Sequence, residues 1–155
     1  MDNEQIELVL LNDPYTRPVF QAVCPKDQLT YPYTDPAAYV VNLDDSRGPG
    51  THWVALFIHQ SKGEANYFDS LGQAPIAHVS PLLKLCPSIK TNRRALQDHT
   101  MVCGQFSIMF LLLRARGYTF QATLNILDHP LNDHIMYQLF QPVFPFLPFY
   151  PSVHS

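Results

Sequence analysis

The chain has 155 residues, enough for one domain with a sizeable buried core. Its formal net charge of −3 argues against broad electrostatic attraction to nucleic acid, and no apolar run is long enough to span a membrane. Three cysteines do not suit a secreted disulfide framework, and the acidic residues 1–4 lack a signal-peptide pattern. We therefore expect one domain over residues 1–155, not secreted, in a reducing compartment.

The first third of the chain combines a helix pattern with a proline-rich stretch. Apolar residues at helical spacing predict an amphipathic helix over residues 4–11. Repeated prolines predict irregular structure over residues 14–36. Residues 37–43 then form a buried-strand pattern, and residues 44–50 have the composition of a loop.

The middle of the chain predicts a β-hairpin. Residues 52–58 and 65–69 are strand-like, and the run Gln60-Ser61-Lys62-Gly63 between them is typical of a turn. A helix over residues 76–85 and a short extended piece near Ile89 are predicted to follow.

The last third of the chain is mainly helical by pattern. Residues 104–116 are apolar nearly all round, which predicts a central buried helix. Further helices are predicted over residues 120–127 and from residue 131 or 132 to 141, before an extended proline- and aromatic-rich tail over residues 142–155. The predicted fold class is α+β, with helices packed around a small, mostly antiparallel sheet.

The hairpin brings a histidine and an aspartate together. His52 and Asp69 are equidistant from a centre between Gln60 and Ser61, so a symmetric hairpin makes them cross-strand neighbours. Their Cβ atoms would then lie ~4.5–5.5 Å apart, where a carboxylate fixes the imidazole tautomer and stabilises the imidazolium. The alternative is a surface His and Asp on an ordinary hairpin, and a one-residue slip would separate them.

Cys103 lies at the start of the predicted central helix. The helix dipole and unpaired backbone N–H groups there favour negative charge on sulfur. Together, this thiol, His52 and Asp69 are the groups that an activated cysteine nucleophile needs: a thiol, a base and an orienting acid. The alternative is a cysteine that only fills space, which suits Cys24 and Cys86.

Three more residues belong to the candidate site. Gln97 lies six positions before Cys103, and its amide could join the Cys103 backbone N–H in an oxyanion hole. Trp53, the only tryptophan, suits the core and also a place lining the cleft. Gly104 allows a substrate or another backbone to approach closely, so we expect it to line the cleft too. No residues have a strong metal-ligand spacing, and no metal site is predicted.

Three sequence blocks, in this order, resemble the adenovirus-type cysteine endopeptidases (the adenain family), in particular the compact members encoded by Polinton/Maverick elements and related DNA viruses. The blocks are Gly50-Thr51-His52-Trp53-Val54-Ala55-Leu56, Tyr67-Phe68-Asp69-Ser70-Leu71-Gly72, and Gln97 through Cys103-Gly104-Gln105-Phe106. The resemblance extends over roughly residues 19–140. It also links the chain more distantly to the proteases of SUMO and ubiquitin-like proteins.

The resemblance implies a papain-like, adenain-type fold and peptide hydrolysis through a thioester. It implies Cys103 as nucleophile, His52 as general base and later acid, Asp69 as orienting acid, and Gln97 in the oxyanion hole. Family members mature viral capsid and core precursors, often cutting after Gly among small residues, in the virion and in the nucleus or cytoplasm of the host cell. We therefore expect a monomeric viral maturation protease whose partners are precursor polypeptides.

The chain departs from this family in its acid and its charge. Adenoviral enzymes have Glu where this chain has Asp69, whereas SUMO and ubiquitin-like-protein proteases have Asp. Adenoviral enzymes are also basic and stimulated by DNA and by a disulfide-linked peptide. The net charge of −3 disfavours a DNA cofactor here, and packing explains Cys86 as well as a peptide-linking role does. The sequence itself requires no cofactor.

Three other functions use the same residues. An isopeptidase for SUMO or a ubiquitin-like protein shares the His-Trp, Asp-Ser-Leu and Gln-x5-Cys-Gly patterns, although the chain is short for gripping a folded modifier. A non-catalytic binding module would have no need to keep all four candidate residues. An acyltransferase can share the His-acid-Cys order. Peptide hydrolysis is the preferred hypothesis.

Overall fold

The computed structural model describes residues 1–44, 52–96 and 102–128. In chain order these residues form α1 (Asn3–Asn12), β1 (Phe20–Pro25), β2 (Ala37–Asn42), β3 (Trp53–His59), β4 (Glu64–Phe68), α2 (Ser80–Leu83), β5 (Ser88–Thr91), α3 (Cys103–Ala115) and α4 (Phe120–Leu127). The helix predicted to end at residue 141 and the tail over residues 142–155 lie outside the described residues.

The described strands form one sheet in the order β1-β2-β3-β4-β5. The central pairings β2–β3 and β3–β4 are antiparallel, and the outer pairings β1–β2 and β4–β5 are parallel. The α+β class is confirmed, but the sheet is evenly mixed rather than mostly antiparallel. Each parallel pairing needs a crossover connection, and a local hairpin pattern gives no sign of one.

Strand β1 corrects the prediction that residues 14–36 are irregular. Phe20 to Pro25 pair in parallel with β2 at the edge of the sheet. Pro25 is the last residue of the strand, a place where its missing N–H does little harm. The prolines therefore bound this strand instead of excluding it.

The two central strands supply apolar side chains to both faces of the sheet. Val40 and Phe57 pack on one face among residues of α1, α3 and α4. Tyr39 and Leu56 pack on the other face with residues of α2. Because both faces are covered, β2 is a continuous buried run, as its sequence predicts.

Helix α3 is the predicted central helix. Phe106, Phe110 and Leu111 are fully buried, and the Phe110 ring stacks on Phe68 of β4 with 4.6 Å between ring centroids. This packing holds α3 against the sheet. The helix begins at Cys103, one residue earlier than predicted.

The helix predicted over residues 76–85 is shorter in the structure. A 3-10 turn over Ala77–Val79 leads into the single turn of α2. Pro81 lies in the first turn of α2, where it donates no hydrogen bond and starts a helix instead of continuing one. Among the described helices, none is both long and apolar enough to cross a membrane.

Candidate active site

His52 and Asp69 meet at one end of the β3–β4 hairpin. The Nε2 atom of His52 lies 2.7 Å from Oδ1 of Asp69. His52 immediately precedes β3 and Asp69 immediately follows β4, so both come from the same end of the hairpin. The two side chains are therefore in hydrogen-bond contact, while their catalytic role stays a prediction.

The register behind this contact differs from the predicted one by two residues. Ala55 pairs with Phe68, because the hairpin connection is a 3-10 turn closed by Gly63 at a φ of 67°. This turn moves the centre of the hairpin by one residue. A two-residue shift keeps each side chain on its own face, so His52 and Asp69 are diagonal neighbours that still reach each other.

The carboxylate of Asp69 is fully buried. Besides its contact with His52, Oδ1 accepts a hydrogen bond from the backbone N–H of Leu71 at 2.8 Å. This short Asx turn fixes the direction of the carboxylate. A buried negative charge needs a compensating partner, and the imidazole of His52 is placed to supply it.

Asn92 holds the backbone of Asp69 and was missed by the sequence analysis. Its side chain accepts from the Asp69 N–H at 2.9 Å and donates to the Asp69 carbonyl at 2.5 Å. Asn92 directly follows β5, and the parallel pairing of β5 with β4 brings it to this place. A lone Asn after a short strand gives no clear signal in the sequence, because this contact depends on a long-range pairing.

The acid loop, residues 69–72, packs on the segment over residues 92–96. Gly72 has a φ of 72°, and a Cβ added to it would lie 2.6 Å from the backbone nitrogen of Ala95 and 2.7 Å from the carbonyl carbon of Arg94. Only glycine combines the left-handed conformation with this close approach. The contact joins the acid loop to the segment that leads toward Cys103.

We expect Gly72→Ala to lower the free energy of unfolding by about 3 kcal/mol, because it adds left-handed strain and a backbone clash. Gly117→Ala is the matched control, since its φ is 94° and an added Cβ would have no atom within 4 Å. This control should lose only about 1 kcal/mol. Urea unfolding of both variants measures the difference. Equal losses would show that backbone conformation alone explains glycine at position 72.

Cys103 is the first residue of α3 and is only 5% exposed. Its thiol interacts with the His52 ring and contributes to the raised pKa of that ring. Because Nε2 of that ring faces Asp69, Nδ1 is the nitrogen available to the sulfur. The first N–H groups of a helix have no partner within it, so their dipoles favour negative charge at this end of α3.

The ionisation of His52 reflects its two partners. Burial of the ring disfavours the charged form, but the hydrogen bonds and charges of Asp69 and Cys103 outweigh it and raise the pKa of His52 to about 9. The ring is therefore mostly protonated at neutral pH. An imidazolium beside a thiol favours the thiolate that nucleophilic chemistry needs.

The other two cysteines have less reactive surroundings. Burial, assisted by the charge of Asp27, raises the pKa of Cys24 to about 11. Burial, assisted by Asp35, also raises the pKa of Cys86, which packs in the core on the α2 side of the sheet. Thiols with a raised pKa are mostly protonated at neutral pH and are weak nucleophiles. Of the three, Cys103 is the one with a histidine partner suited to catalysis.

Trp53 and Gly104 both contact the N-terminal segment of the chain. The Trp53 Nε1–H donates to Oδ1 of Asn3 at 2.8 Å. A Cβ added to Gly104 would lie 3.1 Å from Sδ of Met1 and 3.3 Å from Cδ1 of Ile6. These contacts give both residues a packing role, and a place lining the cleft stays a prediction for both.

Gln97, the predicted oxyanion-hole residue, lies outside the described residues, so its role stays a prediction. The residue before it, Leu96, donates its backbone N–H to the Ser70 carbonyl at 2.8 Å. This hydrogen bond anchors Leu96, the residue before Gln97, to the acid loop. Among residues 1–44, 52–96 and 102–128, no group of three or more His, Cys, Asp or Glu side chains could hold a metal ion.

Comparison of the sequence with known proteins gives viral relatives. The cysteine protease S273R of African swine fever virus is 30% identical over 114 residues, which cover 64% of this chain and 40% of that protein. The same protein from another isolate of the virus, named SUMO-1 cysteine protease S273R, is also 30% identical with the same coverage. The match with this chain therefore spans less than half the length of these curated relatives.

A fold comparison identifies the fold of the chain, and a family profile identifies its family. The crystal structure of the African swine fever virus protease pS273R superposes with a TM-score of 0.61 at 19% identity, covering 89% of this chain and 64% of that one. This likeness confirms the fold. Residues 40–143 match the profile described as the Ulp1 protease family, C-terminal catalytic domain. Since that match spans more than half of the chain, this protein belongs to the Ulp1 family of cysteine proteases.

Proposed function

We propose that this protein is an endopeptidase with Cys103 as nucleophile, His52 as general base and acid, and Asp69 as orienting acid. The observation that carries the proposal is the position of His52 between an acid and a thiol. His52 lies 2.7 Å from the buried carboxylate of Asp69, and its ring interacts with the thiol of Cys103, which begins α3. This is the arrangement that activates a cysteine nucleophile.

The reaction follows from these positions. The Cys103 thiolate attacks the scissile carbonyl while His52 keeps the proton taken from the thiol. The Cys103 backbone N–H and the Gln97 amide stabilise the oxyanion. His52 then gives its proton to the leaving amine, the C–N bond breaks, and the acyl group stays on Cys103 as a thioester. Water that loses a proton to His52 hydrolyses the thioester and restores the thiol.

The substrate we propose is a viral structural-protein precursor, cut after Gly among small residues. Family membership supports a protein substrate. The three sequence blocks that resemble adenovirus-type and Polinton/Maverick proteases support maturation cleavage, in the virion and in the nucleus or cytoplasm of the host cell. The two viral relatives are named as cysteine proteases, which supports proteolysis as the reaction.

An isopeptidase acting on SUMO or a ubiquitin-like protein is the second candidate. The Ulp1 family profile and the name SUMO-1 cysteine protease of one relative favour it. The aspartate at position 69 also fits the SUMO-protease pattern, which has Asp where adenoviral enzymes have Glu.

Two substrates assayed in parallel separate these functions. One is an internally quenched peptide with a Gly among small residues, and the other is SUMO-1 with a C-terminal fluorophore. We expect cleavage of the peptide. Robust turnover of the SUMO-1 conjugate with no peptide cleavage would establish the second candidate instead. Acylated lysines after addition of acyl-CoA, with no cleavage of either substrate, would indicate an acyltransferase.

We also propose a monomer that works without DNA or an activating peptide. The net charge of −3 is unfavourable for binding the phosphate backbone. Cys86 is only 4% exposed and packs in the core, which supports a packing role over a disulfide to a peptide.

The pH dependence of cleavage should report the raised pKa of His52. His52 can protonate the leaving amine only below its pKa, so we expect the rate to fall as pH rises through about 9. Asp69→Asn removes the charge that favours the imidazolium and should move this alkaline limb to lower pH. A pH profile of kcat/KM on the peptide measures the alkaline limb in the unmodified protein and in Asp69→Asn. An unchanged alkaline limb in Asp69→Asn would show that Asp69 does not set the ionisation of His52.

A further inference from the structure

The parallel ladder between β4 and β5 stops two residues before the acid. Tyr67 is the last residue of β4 in this ladder, opposite Thr91, and β5 ends there. Phe68 follows and pairs with Ala55 of β3, and after it come the buried backbone N–H and carbonyl of Asp69. Buried backbone groups of this kind need hydrogen-bond partners.

The side chain of Asn92 supplies a partner for each of these groups, and the Asp69 carbonyl also accepts from the Gly72 N–H at 2.8 Å. The Asn92 Oδ1 accepts from the Asp69 N–H at 2.9 Å, and its Nδ2 donates to the Asp69 carbonyl at 2.5 Å. The same Nδ2 also donates to the Arg94 carbonyl at 3.2 Å. An amide carries a donor and an acceptor side by side, so it stands in for the strand backbone that ends at Thr91.

We propose that Asn92 is a positioning residue that holds Asp69 in the orientation that reaches His52. The inference rests on the proposed function, because it concerns the same acid and base. Asn92 is 5% exposed and Asp69 is fully buried, so water does not readily replace the lost bonds.

The rest of the acid loop supports the same role. The Leu71 N–H holds Oδ1 of Asp69 at 2.8 Å, and the backbone of Ser70 accepts from Leu96 at 2.8 Å. The loop is therefore pinned at both its carboxylate and its backbone. With Asn92 removed, the Asp69 N–H loses its bond to the amide, the Asp69 carbonyl keeps only the bond from Gly72, and the 2.7 Å bond to His52 lengthens.

Asn66 provides a matched control. It is also a buried asparagine, on β4, and its side chain accepts from Arg114 and donates to Glu64. Asn66→Ala thus removes a buried amide with two polar partners but leaves Asp69 and its contacts in place. Both alanine variants should lose stability, and only Asn92→Ala should change the chemistry of the site.

The test is the pH dependence of Cys103 alkylation by iodoacetamide, followed by mass spectrometry of the modified peptide. In the unmodified protein, the rate should show an inflection near the pKa of His52, about 9. We expect Asn92→Ala to move this inflection down by about one pH unit and to lower kcat on the peptide by about 10- to 100-fold. Asn66→Ala should leave the inflection in place. An unmoved inflection in Asn92→Ala, or the same movement in Asn66→Ala, overturns the inference.

Asn92→Ser keeps the inference testable if Asn92→Ala does not fold. The serine hydroxyl is too short to bridge both backbone groups, so a smaller movement in the same direction is expected. A folded Asn92→Ser with an unmoved inflection also overturns the inference.

His52→Ala separates this inference from the proposed function. Rapid alkylation of Cys103 at pH 6 to 7 that persists in His52→Ala would refute the catalytic pair itself, because a thiol without an imidazolium partner forms its thiolate only near its ordinary pKa of ~8.5. Alkylation at neutral pH that His52→Ala slows, together with an inflection that the Asn92 variants leave unmoved, would refute only the role of Asn92.

Discussion

Replacing Cys103 by alanine is expected to abolish peptide cleavage, with a loss in kcat/KM of about a million-fold. The thiol is the covalent centre, and alanine has no atom that can form the thioester. No second thiol substitutes for it, because the pKa values of Cys24 and Cys86 are raised by burial.

The fold should survive this substitution. Cys103 is 5% exposed, and losing one sulfur atom at the end of α3 leaves a small cavity that should cost about 1 kcal/mol. Circular dichroism and urea unfolding check that point. Cys86→Ala is the control and should keep its cleavage rate. Cleavage that persists in a folded Cys103→Ala variant would remove Cys103 from the mechanism.

Replacing His52 by alanine should cost nearly as much as replacing the nucleophile, about a million-fold in kcat. His52 takes the proton of the thiol and later gives one to the leaving amine, so both halves of the reaction lose their proton carrier. Asp69→Asn should cost less, about ten-thousand-fold, because it spoils the orientation and charge of the imidazole but leaves the base in place.

The control for this pair is His59→Ala. His59 lies at the other end of β3, where it is partly exposed, so its loss should leave the rate unchanged. Steady-state kinetics on the quenched peptide ranks the three variants. Equal losses in His52→Ala and Asp69→Asn would show that Asp69 does more than orient the imidazole.

The sequence predicts the elements whose local pattern is strong. The apolar run of α3 and the bounds of α4 agree with the structure. Burial of most of its side chains gives α3 its apolar composition, whereas α4 buries one face and has its apolar residues at helical spacing. The edge strand β1 escaped prediction because its flanking prolines suggested a loop. Its partner, β2, is reached only through a crossover connection, which is a long-range feature.

The candidate site shows the same division between local and long-range information. The sequence predicts the contact of His52 with Asp69 correctly, although the predicted hairpin register is wrong by two residues. An even shift in register keeps each side chain on the same face of its strand. A shift of one residue would have separated them. Asn92 could not be foreseen, because its role depends on the parallel pairing of β5 with β4.

The most direct test of the central claim is covalent labelling with a thiol-directed peptidyl probe that ends in Gly. Digestion and mass spectrometry then locate the modified residue among the three cysteines of the chain. In the proposed mechanism Cys103 alone is modified, with loss of labelling in His52→Ala at neutral pH. Labelling of Cys24 or Cys86 to the same extent, or labelling of Cys103 that is indifferent to His52, would contradict it.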